Sequence, residues 1–185
     1  MSSPESARPQ LTKPKELDKD HDVSGFSCGH ESLDDWLKNR ALKSNAAGDS
    51  RVFVVCDDAQ EVIGYYAISA GSVGRADAVG KIKRNAPDPI PMAIIGRLAV
   101  RNDVQGHGIG PALLRDAILR ISQASEHIGV KGVLVHALDE DAARFYAHMG
   151  FRPSPASEFH LMILLKDIIA ELERGMVPGF SCWTE

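Results

Sequence analysis

The sequence predicts an α/β fold in which a mixed, largely antiparallel sheet carries helices on both faces. Three observations predict it. Two β-rich runs, "RVFVVC" at 51–56 and "EVIGYYAISAGSV" at 61–73, are separated only by "DDAQ", a hairpin signal. Beyond the proline-broken loop "RNAPDPIP", apolar strand runs alternate with helical ones, so the hairpin is followed by strand–helix units. A chain of 185 residues that is 44% hydrophobic and 25% charged also has material for one core.

Taken in order, residues 1–14 hold three prolines and little apolar content, and read as a flexible arm ahead of a single domain over 15–175 and a tail over 176–185. In "ESLDDWLKNRALKSNAAG", Leu33, Trp36, Leu37 and Ala41 recur at helical spacing, acids come early and bases late, and Gly48 stops the run. One amphipathic helix is predicted near 31–47. After the hairpin, the strand "MAIIGRLAV" leads into "RNDVQGHGIG" and a helix over about 109–125. The strand "GVLVHAL", a short helix across "DEDAARFYAHMG" and the strand-to-helix run "FHLMILLKDI" complete the chain.

Several classes are disfavoured. The longest apolar runs are far shorter than the ~20 residues of a membrane span, and "MSSPESARPQ" has no apolar targeting core, so a cytoplasmic protein with no membrane partner is expected. Cys28, Cys56 and Cys182 are odd in number and lack C-x-x-C spacing, which suggests three reduced thiols. No metal is expected, because His21, His30, His107, His127, His136, His148 and His160 form no ligand spacing. The net charge is −4, yet six bases face two acids between Arg75 and Arg101. A basic zone sits inside an acidic protein.

Gly106, Gly108 and Gly110 alternate between a strand and a helix. Such a turn aims several backbone N–H groups at one point, with the positive end of a helix behind them, and that favours an anion such as a diphosphate. Pro111 suits a first helical position, where a missing N–H costs nothing. A plain strand-to-helix connection would use the same glycines, but G-x-G-x-x-G and the P-loop pattern are both absent.

The context narrows this. "QGHGIG" matches the Q/R-x-x-G-x-G/A pattern of the GCN5-related N-acetyltransferases, the GNAT family, and "AARFYAHMGF" resembles a second element of that family. Blocks including "FSCGHESLDDWL", "PDPIPMAIIGRLAV", "VLVHALDEDAARFY" and "LMILLKDI" resemble the acetyltransferase toxins of bacterial toxin–antitoxin modules, across about residues 10–170. The resemblance implies a GNAT fold and transfer of acetyl from acetyl-CoA to the α-amino group of aminoacyl-tRNA, blocking translation. It implies that Gln105, Gly106, His107, Gly108, Ile109 and Gly110 cradle the pyrophosphate, that Leu98, Ala99 and Val100 pair with the pantetheine arm, and that Asp139 stands near it where many relatives carry asparagine. It further implies a ribbon-helix-helix antitoxin partner and a homodimer.

Tyr146 falls where the family carries a tyrosine acid; a core aromatic beside Phe145 is the alternative. No histidine pairs with a carboxylate at a spacing that predicts a base. An α-amino group, with pKa near ~8 against ~10.4 for lysine, is already partly neutral and lessens the need for one. Within the basic zone, Arg97 is the candidate for the tRNA acceptor end, with Lys81, Lys83 and Arg84 touching backbone farther out. A protein or small-molecule N-acetyltransferase of the same fold is the competing function; its cationic substrates would call for an acidic groove.

Overall fold

A computed structural model describes residues 10–175. Its elements are β1 (Lys15–Glu16), α1 (Glu31–Asn39), α2 (Ala41–Ala47), β2 (Arg51–Cys56), β3 (Val62–Val73), α3 (Gly80–Lys83), β4 (Ile90–Val100), α4 (Ile109–Ser125), β5 (Gly132–His136), α5 (Glu140–His148), β6 (Arg152–Ser154), β7 (Ser157–Leu164) and α6 (Leu165–Glu173). The seven strands form one sheet in the order β1-β2-β3-β4-β5-β7-β6. All neighbours run antiparallel except β4 and β5. The mixed, largely antiparallel α/β architecture is the one the patterning predicts.

The central strands read as nearly continuous apolar runs because both faces are covered. On one face, Leu113, Ile118 and Ile121 of α4, with Tyr146 of α5 and Ile168 of α6, pack on Ile63, Ile95, Val133 and Val135. The other face carries two smaller clusters. Leu33, Leu37 and Ala41 cover Val52, Val54 and Tyr65, while Ile82 of α3 sits with Met92, Leu134 and Met162.

The predicted helix over 31–47 is two helices, broken at Arg40, whose φ of −129° and ψ of −29° are not helical. The break lets α2 turn Asn45 inward. Its side chain accepts from the Val52 N–H at 2.9 Å and donates to Glu16 Oε1 at 3.0 Å and to the Leu17 carbonyl at 3.4 Å. A straight helix would have left that edge of β2 without these partners.

Residues 10–14, expected to be part of a loose arm, are tied down. The Thr12 N–H donates to the Cys56 carbonyl at 2.9 Å, its hydroxyl accepts from the Cys56 N–H at 3.0 Å, and Leu11 packs on the larger core. Arg120 of α4 donates to the Pro14 carbonyl at 3.1 Å and to Asp116 at 2.8 Å, and Asp116 also accepts from the Tyr66 hydroxyl. The edge groups of β2 and the cationic head of Arg120 both need partners, and this segment supplies them. The remainder of the arm, the tail and Cys182 lie outside the described residues.

The feature that positions the site is a parting of two strands. β4 pairs with β5 only over Met92–Ile95, whereas it follows β3 all the way to Val100. Ala67 pairs with Arg97 and Ile68 with Ile95, so Gly96 is the extra residue of a β-bulge. Past that bulge no strand among the described residues covers the β5 side of β4.

Asn45, 7% exposed, generates the first prediction. Asn45→Ala should leave the Val52 N–H and the Leu17 carbonyl buried without partners and lower stability by about 1–3 kcal/mol. Urea unfolding should show a reduced midpoint with an unchanged slope. A midpoint equal to the parent's would mean that the α2 break has another cause.

Candidate active site

The strand parting opens into a cavity of about 550 Å³. One wall is the uncovered edge of β4, Gly96–Val100, and another is the glycine turn with the first turn of α4. The far side is formed by His136, Leu138, Asp139, Phe145 and Tyr146, and Cys28 and His30 close the base.

The turn has the geometry its glycines require. Gly106 and Gly108 both adopt φ of +82°, the left-handed region that side chains with a Cβ rarely enter. Gly108 is also the residue capping α4, with no side chain of its own to fill the helix end. The helix starts at Ile109, so Pro111 is its third residue rather than its first. The physics is unaltered, since every N–H of the first turn lacks an intrahelical partner. Those groups point with the positive helix end toward the cavity, which suits an anion.

Gln105 holds this turn in place. Its Nε2 donates to the Val100 carbonyl at 2.9 Å and to the Cys28 carbonyl at 3.1 Å, joining the β4 edge to the base of the cavity. The His107 ring does not line the cavity, although the sequence reading placed that residue with the pyrophosphate contacts. It folds back on its own loop, with Nδ1 3.1 Å from the carbonyls of Val104 and Gln105.

Tyr146 is 5% exposed, flanked edge-on by Phe145 and Phe151 at ring separations of 5.0 and 5.6 Å. It lines the cavity, and its hydroxyl meets no hydrogen-bond partner among the described residues. Burial pushes the phenol well above its usual range, so it remains protonated. Asp139 caps α5 by accepting from the Ala142 N–H at 2.8 Å, and its other oxygen lies 3.3 Å from His30 Nε2. The Cys28 thiol is pushed up to about 11 by burial and by Asp34, which keeps it a thiol.

Leu98, Ala99, Val100, Gln105, Gly106, Gly108, Ile109, Gly110, Asp139 and Tyr146 are thus brought to one cavity. Arg97 joins them. Its guanidinium stacks 4.2 Å over the Trp36 ring, which in turn stacks on Tyr65 at 6.0 Å, and burial lowers its pKa. Lys81, Lys83 and Arg84 do not reach the cavity. They lie on or just after α3, where Lys81 pairs with Asp167 at 3.1 Å.

Sequence reasoning missed three features. Gly96 could have been found, since a glycine inside a strand pattern marks a bulge or a close approach. The Cys28–His30 wall and the packing of His136 against His160, with ring centroids 4.5 Å apart, had no local signal. Among the described residues no helix is long and apolar enough to cross a membrane, and no group of three or more His, Cys, Asp or Glu is placed to hold a metal.

A left-handed glycine turn at a helix end, an uncovered strand edge and a buried phenol surround one cavity, and the turn at the helix end suits an anion. Comparison with known proteins identifies the family. Residues 48–153 match the acetyltransferase (GNAT) domain. A tRNA-acetylating toxin of Mycobacterium tuberculosis is 49% identical over 154 residues, covering 83% of this chain and 92% of the relative. Of the solved structures, AtaT complexed with acetyl-methionyl-tRNAfMet superposes with a TM-score of 0.81 at 30% identity, covering 88% of this chain and 99% of that one. An AtaT mutant with one tyrosine replaced by phenylalanine, bound to the C-terminus of the antitoxin AtaR and acetyl-CoA, has a TM-score of 0.74 at 30% identity, covering 89% and 98%. By its domain match and by its identity to the mycobacterial relative, the chain belongs to the GNAT acetyltransferases.

Proposed function

We propose that this protein is a toxin N-acetyltransferase that moves acetyl from acetyl-CoA to the α-amino group of aminoacyl-tRNA and so blocks translation. The observation that carries the reading is the meeting of the glycine turn, the bulged edge of β4 and Tyr146 in one cavity, in a chain half identical to a tRNA-acetylating toxin.

The residues present fit acetyl-CoA. The N–H groups from Gly106 to Gly110 receive its pyrophosphate, and the edge Leu98–Ala99–Val100 pairs with the pantetheine amides as a strand would. Acetyl-CoA supplies an activated acyl group with a thiolate leaving group. An N–H of that strand, left free by the pantetheine, faces the thioester oxygen and stabilises the charge that develops there. Tyr146 then donates its phenolic proton to the departing sulfur. The burial that raises the phenol raises the proton affinity of a thiolate in the same cavity, so the transfer stays matched.

On the acceptor side, Arg97 offers a cation that meets no carboxylate among the described residues, which suits a phosphate and disfavours cationic protein or small-molecule acceptors. Lys83 and Arg84, with Lys81, extend this charge along α3 to backbone phosphates farther out. The protein works in the cytoplasm, as a homodimer, and is neutralised by a ribbon-helix-helix antitoxin; an AtaT mutant solved with the C-terminus of AtaR supports an antitoxin partner. Incubation with labelled acetyl-CoA and total charged tRNA, then identification of the labelled amino acid, tests the activity. Label confined to protein or small amines would overturn it.

Three variants probe the parts. Gly108→Asp adds a side chain to a left-handed position and a negative charge to the cradle, and should weaken acetyl-CoA binding sharply; calorimetry with unchanged affinity would remove the turn from the site. Replacing Lys81, Lys83 and Arg84 by alanine together should weaken tRNA acetylation and flatten its salt dependence while sparing acetyl-CoA affinity. Normal acetylation across a salt series would reduce the basic stretch to a solvated loop.

Tyr146→Phe keeps the ring that packs between Phe145 and Phe151 and removes only the proton donor. Turnover should fall by about 10²–10⁴-fold, with the deficit in kcat and with acetyl-CoA affinity and melting temperature little changed. A core tyrosine would instead alter stability by ~1 kcal/mol and leave the rate of the folded enzyme intact.

A further inference from the structure

Besides Tyr146, the cavity presents Cys28, His30, Arg97, His136, Asp139 and Asp141. Five of these are already engaged or locked in one protonation state. The Cys28 thiol points at the His30 carbonyl, 3.7 Å away, and stays protonated. His30 and Asp139 face each other at 3.3 Å, Asp139 also caps α5, and Asp141 pairs with Arg144. Arg97 is a permanent cation held on Trp36. Neither ring nitrogen of His136 meets a hydrogen-bond or ion-pair partner among the described residues.

Its position is set by strand alternation. Val135 and Ala137 point into the core beneath α4, so His136 points to the opposite face of the sheet. Arg97 lies between Gly96 and Leu98, and Leu98 and Val100 also pack toward α4, so Arg97 emerges on the same face as His136. The two stand on either side of the strand parting. That is the acceptor face on the acetyl-transfer reading, on which this inference rests.

We propose that His136 is the catalytic base that takes the proton from the α-ammonium group of the incoming aminoacyl ester. His136 accepts one proton and frees the nitrogen lone pair, the new C–N bond forms as the C–S bond breaks, and the sulfur takes the proton of Tyr146. The second proton of the attacking nitrogen restores Tyr146, and His136 releases its proton to water. The balance is one ammonium and one thioester in, and one amide, one thiol and one proton out.

His160 on β7 packs against His136, while Arg97 on β4, Asp139 and Asp141 at the start of α5, and His30 line the same cavity. Burial first, and then the adjacent His160, hold the imidazole below its ordinary range. A lowered pKa keeps the ring neutral, and able to accept a proton, further into the acid range.

The test is kcat against pH, with acetyl-CoA and charged tRNA both saturating, for the parent protein, His136→Gln and His160→Ala. The parent's acid limb should fall below pH ~6.5, the ordinary histidine value. In His136→Gln the substrate ammonium must ionise unaided, so the limb should move up toward ~8, with a deficit on the order of 10²-fold at pH 6 that narrows to a few-fold at pH 9. His160→Ala should move the parent limb upward and leave its plateau. Unchanged acetyl-CoA affinity in His136→Gln would show the cavity intact. A deficit constant with pH, or a profile that overlays the parent's, would overturn the role of His136 while leaving the acetyl transfer standing. A parent protein that acetylates no charged tRNA would overturn both.

Discussion

The separation of β4 from β5 after Ile95 is the constraint on which the remaining structure depends. β4 is held along its length by β3, and the bulge at Gly96 bends it away from its parallel neighbour. A strand edge inside a protein leaves N–H and C=O groups that must find partners. The chain answers one of them itself, through the Gln105 amide on the Val100 carbonyl at 2.9 Å. The rest of that edge faces the cavity, and on the proposed reading the amides of acetyl-CoA complete it. The glycine turn, the start of α4 and the start of α5 are then arranged around the gap rather than each forming a site alone.

Because the gap interrupts the sheet itself, it joins the two faces. The face beneath α4, α5 and α6 contributes the helix N-terminus and Tyr146, both anchored in the larger core. The opposite face contributes Arg97 and His136. Donor and acceptor can therefore approach from different sides and meet in the plane of the strands. The two groups stand in different environments: burial holds the Tyr146 phenol above its usual range, and burial with His160 holds the His136 imidazole below its own. On the proposed acid and base roles, the environments of the two faces push the two groups' proton affinities apart.

What the sequence disclosed was what is local. The strands at 51–56 and 62–73, the helix over 109–125 and the spacing of Gly106, Gly108 and Gly110 are encoded by neighbours, so period and turn chemistry sufficed to read them. Tyr146 and the glycine turn were legible through a motif resemblance, and β4 through its apolar run. Contacts between distant residues were not. Gln105 reaches a carbonyl 77 positions away in sequence to close the base of the cavity. The break at Arg40 follows from Asn45 satisfying β2 and the segment after β1, which no helical periodicity records. The same holds for residues 10–14, whose proline-rich composition suggests a loose arm until the edge of β2 and Arg120 are seen to need them. His136 read as one polar residue in an apolar strand, and only the parting of β4 and β5 shows which face it serves.

Charge follows the same logic of sum against placement. Of the six bases between Arg75 and Arg101, Arg75 donates to the Ala86 carbonyl, Lys81 pairs with Asp167, and Arg101 is clasped by Asp103 and Glu61. Their charges are partly offset within the fold, although the Lys81 side chain stays exposed. Lys83, Arg84 and Arg97 meet no carboxylate among the described residues. Ile82 packs on the cluster containing Leu134 and Met162, which puts α3 on the same face as His136 and Arg97. A net charge of −4 gives the protein little general attraction for a polyanion. On the proposed tRNA reading, binding rests on few contacts, with Arg97 at the strand parting and the α3 bases farther out on the same face. Such an arrangement penalises unguided association and favours a substrate whose phosphates and reactive amine arrive together, as they do at the aminoacylated end of a tRNA.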